Sequence, residues 1–462
     1  MKFYHENERD LPVSAETEVL VCGCGPAGAG AAIAAARLGA RVTAIEMQSC
    51  LGGIATAGMM SHWGGRSSSF VLPEIYARQR EKAKTMGGFD ENQRKYIDDG
   101  YATIAINHEE QKIILDEMFA EAGVKVLFNT FVVGAIVENN RVNGVIIENK
   151  SGRSVIKARY TVDATGDGDV AANAGVPFFK GRETDGLMQP ATLMFKIGGV
   201  DYTRAVFPGS FETKVYTEKG ELQSLALEKL PHPAGHVLLY PSPAPGVVVC
   251  NMTNVIGVDG TDAQSLSDSL ATARSQIEPI IKFLKEYSPG YENCYILGTA
   301  SLMGVRETRH FEGVSSLAPE DILTARRFGD WVVNRAFFNF DVHNLTGASL
   351  DKTGVQKEWK QDTDYTIPYG CLLPKKIDGL LLSGRNISGS HLAHSNFRIM
   401  SVCLALGEAA GDYHREFSGG RDCREKRRGV PRTFGKGYSA VSRRVVAKTI
   451  IRYNVFTTET NE

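Results

Sequence analysis

The stretch VLVCGCGPAGAG, residues 19–30, constrains the fold more than any other part of the chain. The segment TEVLVCG (17–23) is apolar and β-branched, which predicts a strand enclosed on both faces of a parallel sheet. An alanine-rich segment follows and predicts a helix ending at Gly39. ARVTAIE (40–46) predicts a second strand that closes on an acid. Between the first strand and the helix stands Gly23-x-Gly25-x-x-Gly28. The first glycine permits the tight turn, the second admits a diphosphate to the backbone, and the third lets helix and strand pack closely. The helix start offers N–H groups and a positive dipole end to the phosphates. Glu46 lies 18 residues beyond Gly28, where a carboxylate accepts hydrogen bonds from ribose hydroxyls and disfavours the 2′-phosphate of NADP. The β-α-β unit therefore points to a dinucleotide, and by itself leaves FAD and NAD equally open.

Composition sets bounds on the rest. A chain of 462 residues, 43% hydrophobic, can bury one large core or two joined ones. Lys and Arg number 52 against 53 Asp and Glu, so no nucleic-acid or polyanion surface is expected. The polar N-terminal segment has no apolar h-region, and the apolar run 19–36 is interrupted by four glycines and Pro26. No signal peptide and no membrane span are expected, and a cytoplasmic location follows as the default reading. The eight cysteines form no C-x-x-C pair and read as reduced core residues; no metal motif is evident.

Residues 50–70 are glycine-rich and read as a long ligand-facing loop, with helices expected at 73–86 and 107–122. From Val124 to Gly166, strand-like runs alternate with NN and KSG turns, which predicts a small antiparallel meander. Between 175 and 370 the β-α-β rhythm is lost; a proline-rich loop at 231–246 and one helix over 262–287 are expected there. GLLLSGR (379–385) restores the buried-strand signal, followed by a loop and a helix.

A simple NAD dehydrogenase would continue with alternating strands and helices. This order instead resembles the FAD-dependent oxidoreductases of the glutathione-reductase-type flavin fold, relatives of the succinate dehydrogenase and fumarate reductase flavoproteins. The segments that carry the resemblance are LGGIATAG (51–58), VDATGDGDVAANAGVPFFKGRE (162–183), GVRETRHFEG (304–313), FDVHN (340–344) and YTIPYG through EAAG (365–411). It implies an α/β fold: a Rossmann-like FAD-binding domain, with a parallel sheet and β-meander, into which an α+β substrate domain is inserted. The expected boundaries are 1–175 and 371–416 for the FAD-binding parts, 176–370 for the substrate-facing domain and 417–462 for a basic tail.

The resemblance also implies positions for non-covalent FAD. Gly23, Gly25, Pro26, Ala27 and Gly28 would hold the diphosphate, and Glu46, with Met47 beside it, the adenosine ribose. Gly52, Gly53, Ala55 and Thr56 would approach the ribityl chain and isoalloxazine, and Val132 or Val133 the adenine through the main chain. Ala164, Thr165 and Gly166 would close the adenosine side, while Gly384 and Arg385 belong to a second turn near the phosphates. A helix beginning near Phe397, with Arg398 and Ile399, would aim its N-terminus at the flavin pyrimidine.

Candidates for the chemistry each have a structural alternative. His391 and His394 lie in the loop before the flavin-facing helix, and a histidine shuttles protons near neutral pH, or simply braces a loop. Where relatives carry an acid after His391, this chain has leucine, which leaves that histidine's partner open. Arg306 and Arg309, three apart, would clasp one anion from a helical turn, or form an interdomain salt bridge. Asp341 and His343, two apart, share a face if extended and form an acid–histidine pair, or a capped turn. His62 is a conceivable covalent flavin anchor that its surroundings do not support, and Cys403 reads as a packed apolar residue. No second Gly-x-Gly-x-x-Gly with a trailing acid marks an NAD(P)H site. The function expected is oxidation or reduction of a small polar molecule by hydride transfer to or from flavin N5, possible as a homo-oligomer and with an unassigned electron partner. The alternatives are fumarate-reductase-like reduction of an activated C=C bond, or a flavin-bearing subunit of an electron-transfer complex, with an NAD dehydrogenase last.

Overall fold

β1 (Val13–Cys22) pairs in parallel with β2 (Val42–Ile45) on one side and with β6 (Gly152–Asp163) on the other, and α1 (Pro26–Arg37) connects β1 to β2. This is a computed structural model that describes residues 4–86, 105–351 and 360–417; the expected basic tail, 417–462, lies outside them from residue 418 onward. β3 (Lys125–Leu127), β4 (Phe131–Glu138) and β5 (Arg141–Asn149) complete the sheet order β3-β2-β1-β6-β5-β4, and Leu380–Leu382 adds a seventh strand parallel to β6. The architecture is Rossmann-like α/β with a β-meander. β1 begins earlier than its apolar run because Val13, Ala15 and Glu16 find partners in Val155, Ile156 and Lys157 of β6.

The meander is not a separate sheet. β4, β5 and β6 are antiparallel, but Lys125–Leu127, expected within it, runs parallel to β2. β6 is long enough to serve two neighbours along one edge: Gly152 to Lys157 pair with β5, and Thr161 to Asp163 with Leu380–Leu382. Five parallel strands thus present their C-terminal ends along one edge of the sheet, the place where α/β folds bind ligands.

α1 is covered by the helix Met400–Phe417, and small residues let the two backbones nearly touch. A Cβ on Gly407 would sit 1.8 Å from the Ala27 carbonyl oxygen, and one on Gly30 would sit 2.3 Å from that of Leu404. α2 (Val71–Met86) starts under the same helix: Glu408 accepts from the backbone N–H groups of Phe70 and Val71, both at 3.1 Å, and from the Ser69 hydroxyl at 2.5 Å. Glu408 is 4% exposed, so a carboxylate from the far end of the chain satisfies the otherwise orphaned donors of this helix.

A second, four-stranded antiparallel sheet is built from Phe195–Gly198, Leu239–Pro241, Val248–Cys250 and Tyr295–Thr299. Leu239–Pro241 lies in the segment expected to be a proline-rich loop, because its carbonyls and N–H groups pair with Val248 to Cys250. The single helix expected over 262–287 is two, Ala263–Ser275 and Ile277–Tyr287. Pro279 explains the break: its ring cannot accommodate the carbonyl four residues back, so it is tolerated only in a first turn. Ile280, Phe283 and Leu284 of the second helix cover Phe195, Ile197, Val248 and Cys250 in a core distinct from that of the parallel sheet. Apolar side chains from Phe311 to Leu372 join the parallel sheet's core instead.

Candidate active site

The glycines after β1 divide the labour expected of them. Gly23 has φ +86°, and a Cβ there would meet the Ala164 carbonyl oxygen at 2.5 Å. A Cβ on Gly28 would lie 1.8 Å from the Gly23 carbonyl oxygen, so helix and turn are in direct contact. Gly25 is different: a Cβ there would find only Gly53 Cα, 4.0 Å away. Its open face stands at the N-terminus of α1, which has no side-chain cap and no acid in its first turn. That is a cradle shaped for an anionic group, and a diphosphate fits it on charge and on space.

The other strand ends converge on the same edge. β2 delivers Glu46, β6 delivers Ala164, Thr165 and Gly166, and Leu380–Leu382 delivers Gly384, whose φ is +98°. Glu46 is 5% exposed and clasps the glycine turn, accepting from the N–H of Cys24 at 2.6 Å and of Gln48 at 2.9 Å. Burial raises its carboxyl pKa, and those backbone donors oppose the rise. Each oxygen keeps a lone pair beyond these bonds. Met47 beside it is exposed. Val133 is the extra residue of a β-bulge, since the β4–β5 register steps from Val132↔Ile147 to Gly134↔Ile146; its side chain is exposed and its main chain stands outside the ladder.

Several assigned residues turn inward. Ala55 and Thr56 are sealed, and Thr56 Oγ1 donates to the Leu51 carbonyl at 2.5 Å. Gly52 has φ +100°, and its N–H donates to the Cys24 carbonyl, tying this loop to the glycine turn. Thr165 Oγ1 donates to Asp163 at 2.7 Å, and Arg385 Nη2 pairs with Asp167 Oδ1 at 2.9 Å, beside Gly166. The helix expected to begin near Phe397 does not: Phe397 ends a short helix, His391–Phe397, and the long one starts at Met400. Arg398 and Ile399 form the link, with Arg398 N–H bonded back to His394 and the Ile399 carbonyl accepting from Cys403. The Phe397 ring is buried against Gly389, so only main-chain atoms there can meet a ligand.

Arg306 and Arg309 do not converge. The chain between them is extended rather than helical, and residues an odd number apart then face opposite ways. Arg309 Nη1 donates to Asp169 Oδ1 and to the Asp167 carbonyl, both at 2.9 Å. Arg306 Nη1 donates to the Pro190 carbonyl at 2.6 Å and Thr192 Oγ1 at 2.9 Å, in a second group of polar residues.

That group gathers Arg306, Asp341, His343 and Arg398. His343 Nε2 lies 3.5 Å from Asp341 Oδ1, and Arg398 Nη2 donates to Asp341 Oδ2 at 2.8 Å and to its carbonyl at 2.9 Å. Burial raises the Asp341 carboxyl, but His343, Arg398 and Arg306 more than offset it and hold the group well below the usual carboxylate range. Burial, reinforced by the Arg306 charge and opposed by Asp341, lowers His343 to about 4. Burial and the neighbouring Arg398 charge lower Arg306 to about 10. At neutral pH the group therefore carries two guanidiniums, one carboxylate and a neutral imidazole. Arg306, Asp341 and Arg398 each keep part of their surface exposed. His62 is close by, its ring edge-on to Tyr240 at 5.2 Å and its Nδ1 2.8 Å from Ser61 Oγ.

His391 and His394 belong elsewhere. They are 2% and 1% exposed, and the acid missing after His391 in sequence is supplied by Glu307. His391 Nδ1–H donates to Glu307 Oε1 at 2.7 Å, and His310 Nε2 faces the same oxygen at 2.8 Å. The Gln189 N–H donates to Oε2 at 3.0 Å. Burial raises Glu307, and the hydrogen bonds from His310 and His391 overcome it, keeping the carboxyl well below its ordinary value. Burial and the nearby His310 hold His394 neutral. Glu307 and His310 were not singled out from sequence, although E-x-x-H inside a recognised segment was a legible signal. Cys403 is buried in the long helix, as expected of a packing residue. No described helix is long and apolar enough to cross a membrane.

Residues 18–413 match the model of a family described as FAD dependent oxidoreductase. No curated protein matches the sequence. Solved structures with a similar fold include a geranylgeranyl bacteriochlorophyll reductase-like protein from Thermoplasma acidophilum, 13% identical, covering 95% of this chain and 87% of that one with a TM-score of 0.44. The L-proline dehydrogenase from P. horikoshii is 14% identical, covering 89% of this chain and 96% of that one with a TM-score of 0.42. The p-nitrophenol 4-monooxygenase from Pseudomonas putida is 12% identical, covering 97% and 91% with a TM-score of 0.46.

Proposed function

The chain belongs to the FAD dependent oxidoreductase family, and from that premise we propose that it oxidises a small polar substrate carrying an anionic group next to a hydroxyl- or amine-bearing carbon. FAD, when bound, would supply the two-electron acceptor for the substrate's hydride. The uncapped start of α1, with Gly25 open above it and the Ala27 and Gly28 N–H groups free of side-chain caps, holds the diphosphate. The remaining lone pairs of Glu46 take the ribose hydroxyls, and the Val133 main chain takes the adenine. Within this reading the chain keeps its kinship with the glutathione-reductase-type flavoproteins and with the fumarate reductases.

The observation that carries the reading is the Asp341–His343 pair set beside Arg306 and Arg398. A neutral imidazole with Nε2–H toward the carboxylate keeps its Nδ1 lone pair as a base. It takes the substrate's hydroxyl or ammonium proton, and Asp341 stabilises the imidazolium that results. Arg398 keeps Asp341 ionised and in place. Arg306, one net positive charge in excess of the group's acid, anchors the substrate's anion. His391 and His394, sealed around Glu307, are not the proton carriers in this reading.

One observation favours a second reading. Arg306, lowered to about 10, is an unusually willing proton donor for a guanidinium, which suits saturation of an activated C=C bond. A visible spectrum before and after acid precipitation, followed by anaerobic titration with 2-hydroxy acids, amino acids and neutral alcohols, separates the readings. Flavin released to the supernatant and bleached by anionic substrates alone supports the first. Bleaching by neutral alcohols removes the anion anchor, and reoxidation of reduced protein by an unsaturated dicarboxylate supports the second.

A further inference from the structure

We propose that Glu307, His310 and His394 form a binding site for a divalent transition-metal ion of the zinc, manganese or iron(II) class. Each offers one ligand atom, and the three atoms lie within 4.8 Å of one another. Their exposures are 0%, 0% and 1%. Surface acids gather by chance at little cost, whereas three sealed ligating groups have each been stripped of water and need partners.

Counting protons at His310 shows what kind of partner is needed. Its Nδ1 lies 3.1 Å from the Gly389 carbonyl, which only accepts, so Nδ1 carries a hydrogen. A neutral imidazole then has a lone pair on Nε2, and Nε2 faces Glu307 Oε1 at 2.8 Å. Two acceptors in contact repel unless a cation joins them. A metal ion bound by both atoms would join them.

His394 supplies a second observation. Its Nδ1 is buried without a hydrogen-bond partner among the described residues. A metal ion would give that nitrogen a partner by accepting its lone pair. The rings of His310 and His394 are edge-on with centroids 4.9 Å apart, so both can reach one ion. The separation of 2.8 Å between Oε1 and Nε2 is near the spacing of right-angled donors on a six-coordinate ion, and tetrahedral zinc would need it to open to about 3.3 Å.

The surroundings orient the ligands as outer-shell groups do at metal centres. The Gly389 carbonyl fixes the His310 tautomer, His391 Nδ1–H holds Oε1, and the Gln189 N–H holds Oε2. Two imidazoles and one carboxylate suit borderline divalent ions better than Mg²⁺ or Ca²⁺, which favour oxygen alone. Nothing in the proposed substrate oxidation uses these residues, so the two ideas stand or fall separately.

The test is metal content, not turnover. The FAD-containing protein is dialysed against zinc sulfate, desalted, and assayed for zinc and flavin per chain. About one zinc per chain is expected, falling at least about tenfold in His394→Ala and Glu307→Gln while the flavin content holds. Equal zinc in the wild type and both variants overturns the proposal, as does a wild type that retains no zinc. Should the variants fail to fold, X-ray absorption at the zinc edge of the wild type decides. A nitrogen and oxygen shell with imidazole outer scattering supports the site, and a sulfur shell overturns it.

Discussion

His343 Nε2 faces Asp341 Oδ1 across 3.5 Å, while Arg398 holds the other oxygen of the same carboxylate at 2.8 Å. Two residues adjacent but one in sequence thus form a base and its orienting acid, and an arginine from the C-terminal region locks the acid. His343→Asn is expected to lower kcat by about 10²–10⁴-fold with the flavin spectrum unchanged. Asp341→Asn is expected to fall nearly as far, because the wrong tautomer and an unstabilised imidazolium follow. Single-turnover flavin bleaching reads both. A His343→Asn enzyme of wild-type rate would remove this residue from the chemistry.

The pH dependence of kcat/KM supplies an independent check. Burial and the Arg306 charge hold His343 near about 4, so it is a competent base throughout the range where an ordinary histidine would be half protonated. The acid limb of the profile is expected near pH 4 rather than near 6.5. Removing Asp341, which opposes the fall, moves the limb lower still. An acid limb at 6.5 would assign the step to a different histidine.

Gly25 and Gly28 are expected to fail differently when changed to alanine. Gly28→Ala puts a methyl 1.8 Å from the Gly23 carbonyl oxygen and should prevent folding. Gly25→Ala meets only an atom 4.0 Å away and should fold, with circular dichroism unchanged, yet lose FAD affinity by about tenfold or more, because the methyl takes the diphosphate's place. A Gly25→Ala protein that holds FAD as tightly as the wild type would contradict the assignment of this face.

Acid should destabilise the fold through two buried histidines. Burial lowers His108 and His236 to about 3 each. A group whose folded pKa lies below its unfolded value contributes full stability above the unfolded pKa and loses it as pH falls. The window therefore opens near pH 6.5 and extends to about 3. At pH 5 each histidine costs about 2 kcal/mol relative to pH 7. Urea midpoints should drop between pH 7 and pH 5, and drop less in His236→Gln. An equal drop in the variant would mean that His236 is not held neutral.

Glu408 accepts three hydrogen bonds at the start of α2, from Ser69, Phe70 and Val71. Glu408→Ala leaves those donors without an acceptor and is expected to cost about 3 kcal/mol, with Glu408→Gln recovering part of it. Amide exchange at Val71 should quicken in the alanine variant. Unchanged exchange and midpoint would show that the cap contributes nothing.

What the sequence determined was local. The β-branched run before Gly23, the glycine spacing, the alanine-rich helix and Glu46 at the end of the next strand each act within a few residues of one another. Periodicity and turn chemistry therefore expose them, and the sheet formed with that unit at its centre. Asp341 and His343 were legible for the same reason, as alternate residues of an extended segment. Tertiary structure decided everything that depends on which distant surfaces meet. Glu307 is 84 positions from His391, and no periodicity announces that the two share a hydrogen bond. Arg306 and Arg309 would share one anion on a helical turn, but the extended backbone sends them to separate partners. Leu239–Pro241 became a strand only because Val248–Cys250 offered it a ladder. Lys125–Leu127 joined β2 because that edge was open to it, not because its own residues prefer a parallel neighbour. Local signals report the backbone's own preferences, whereas buried polar groups acquire partners, charges and roles only when the chain has closed around them and water has left.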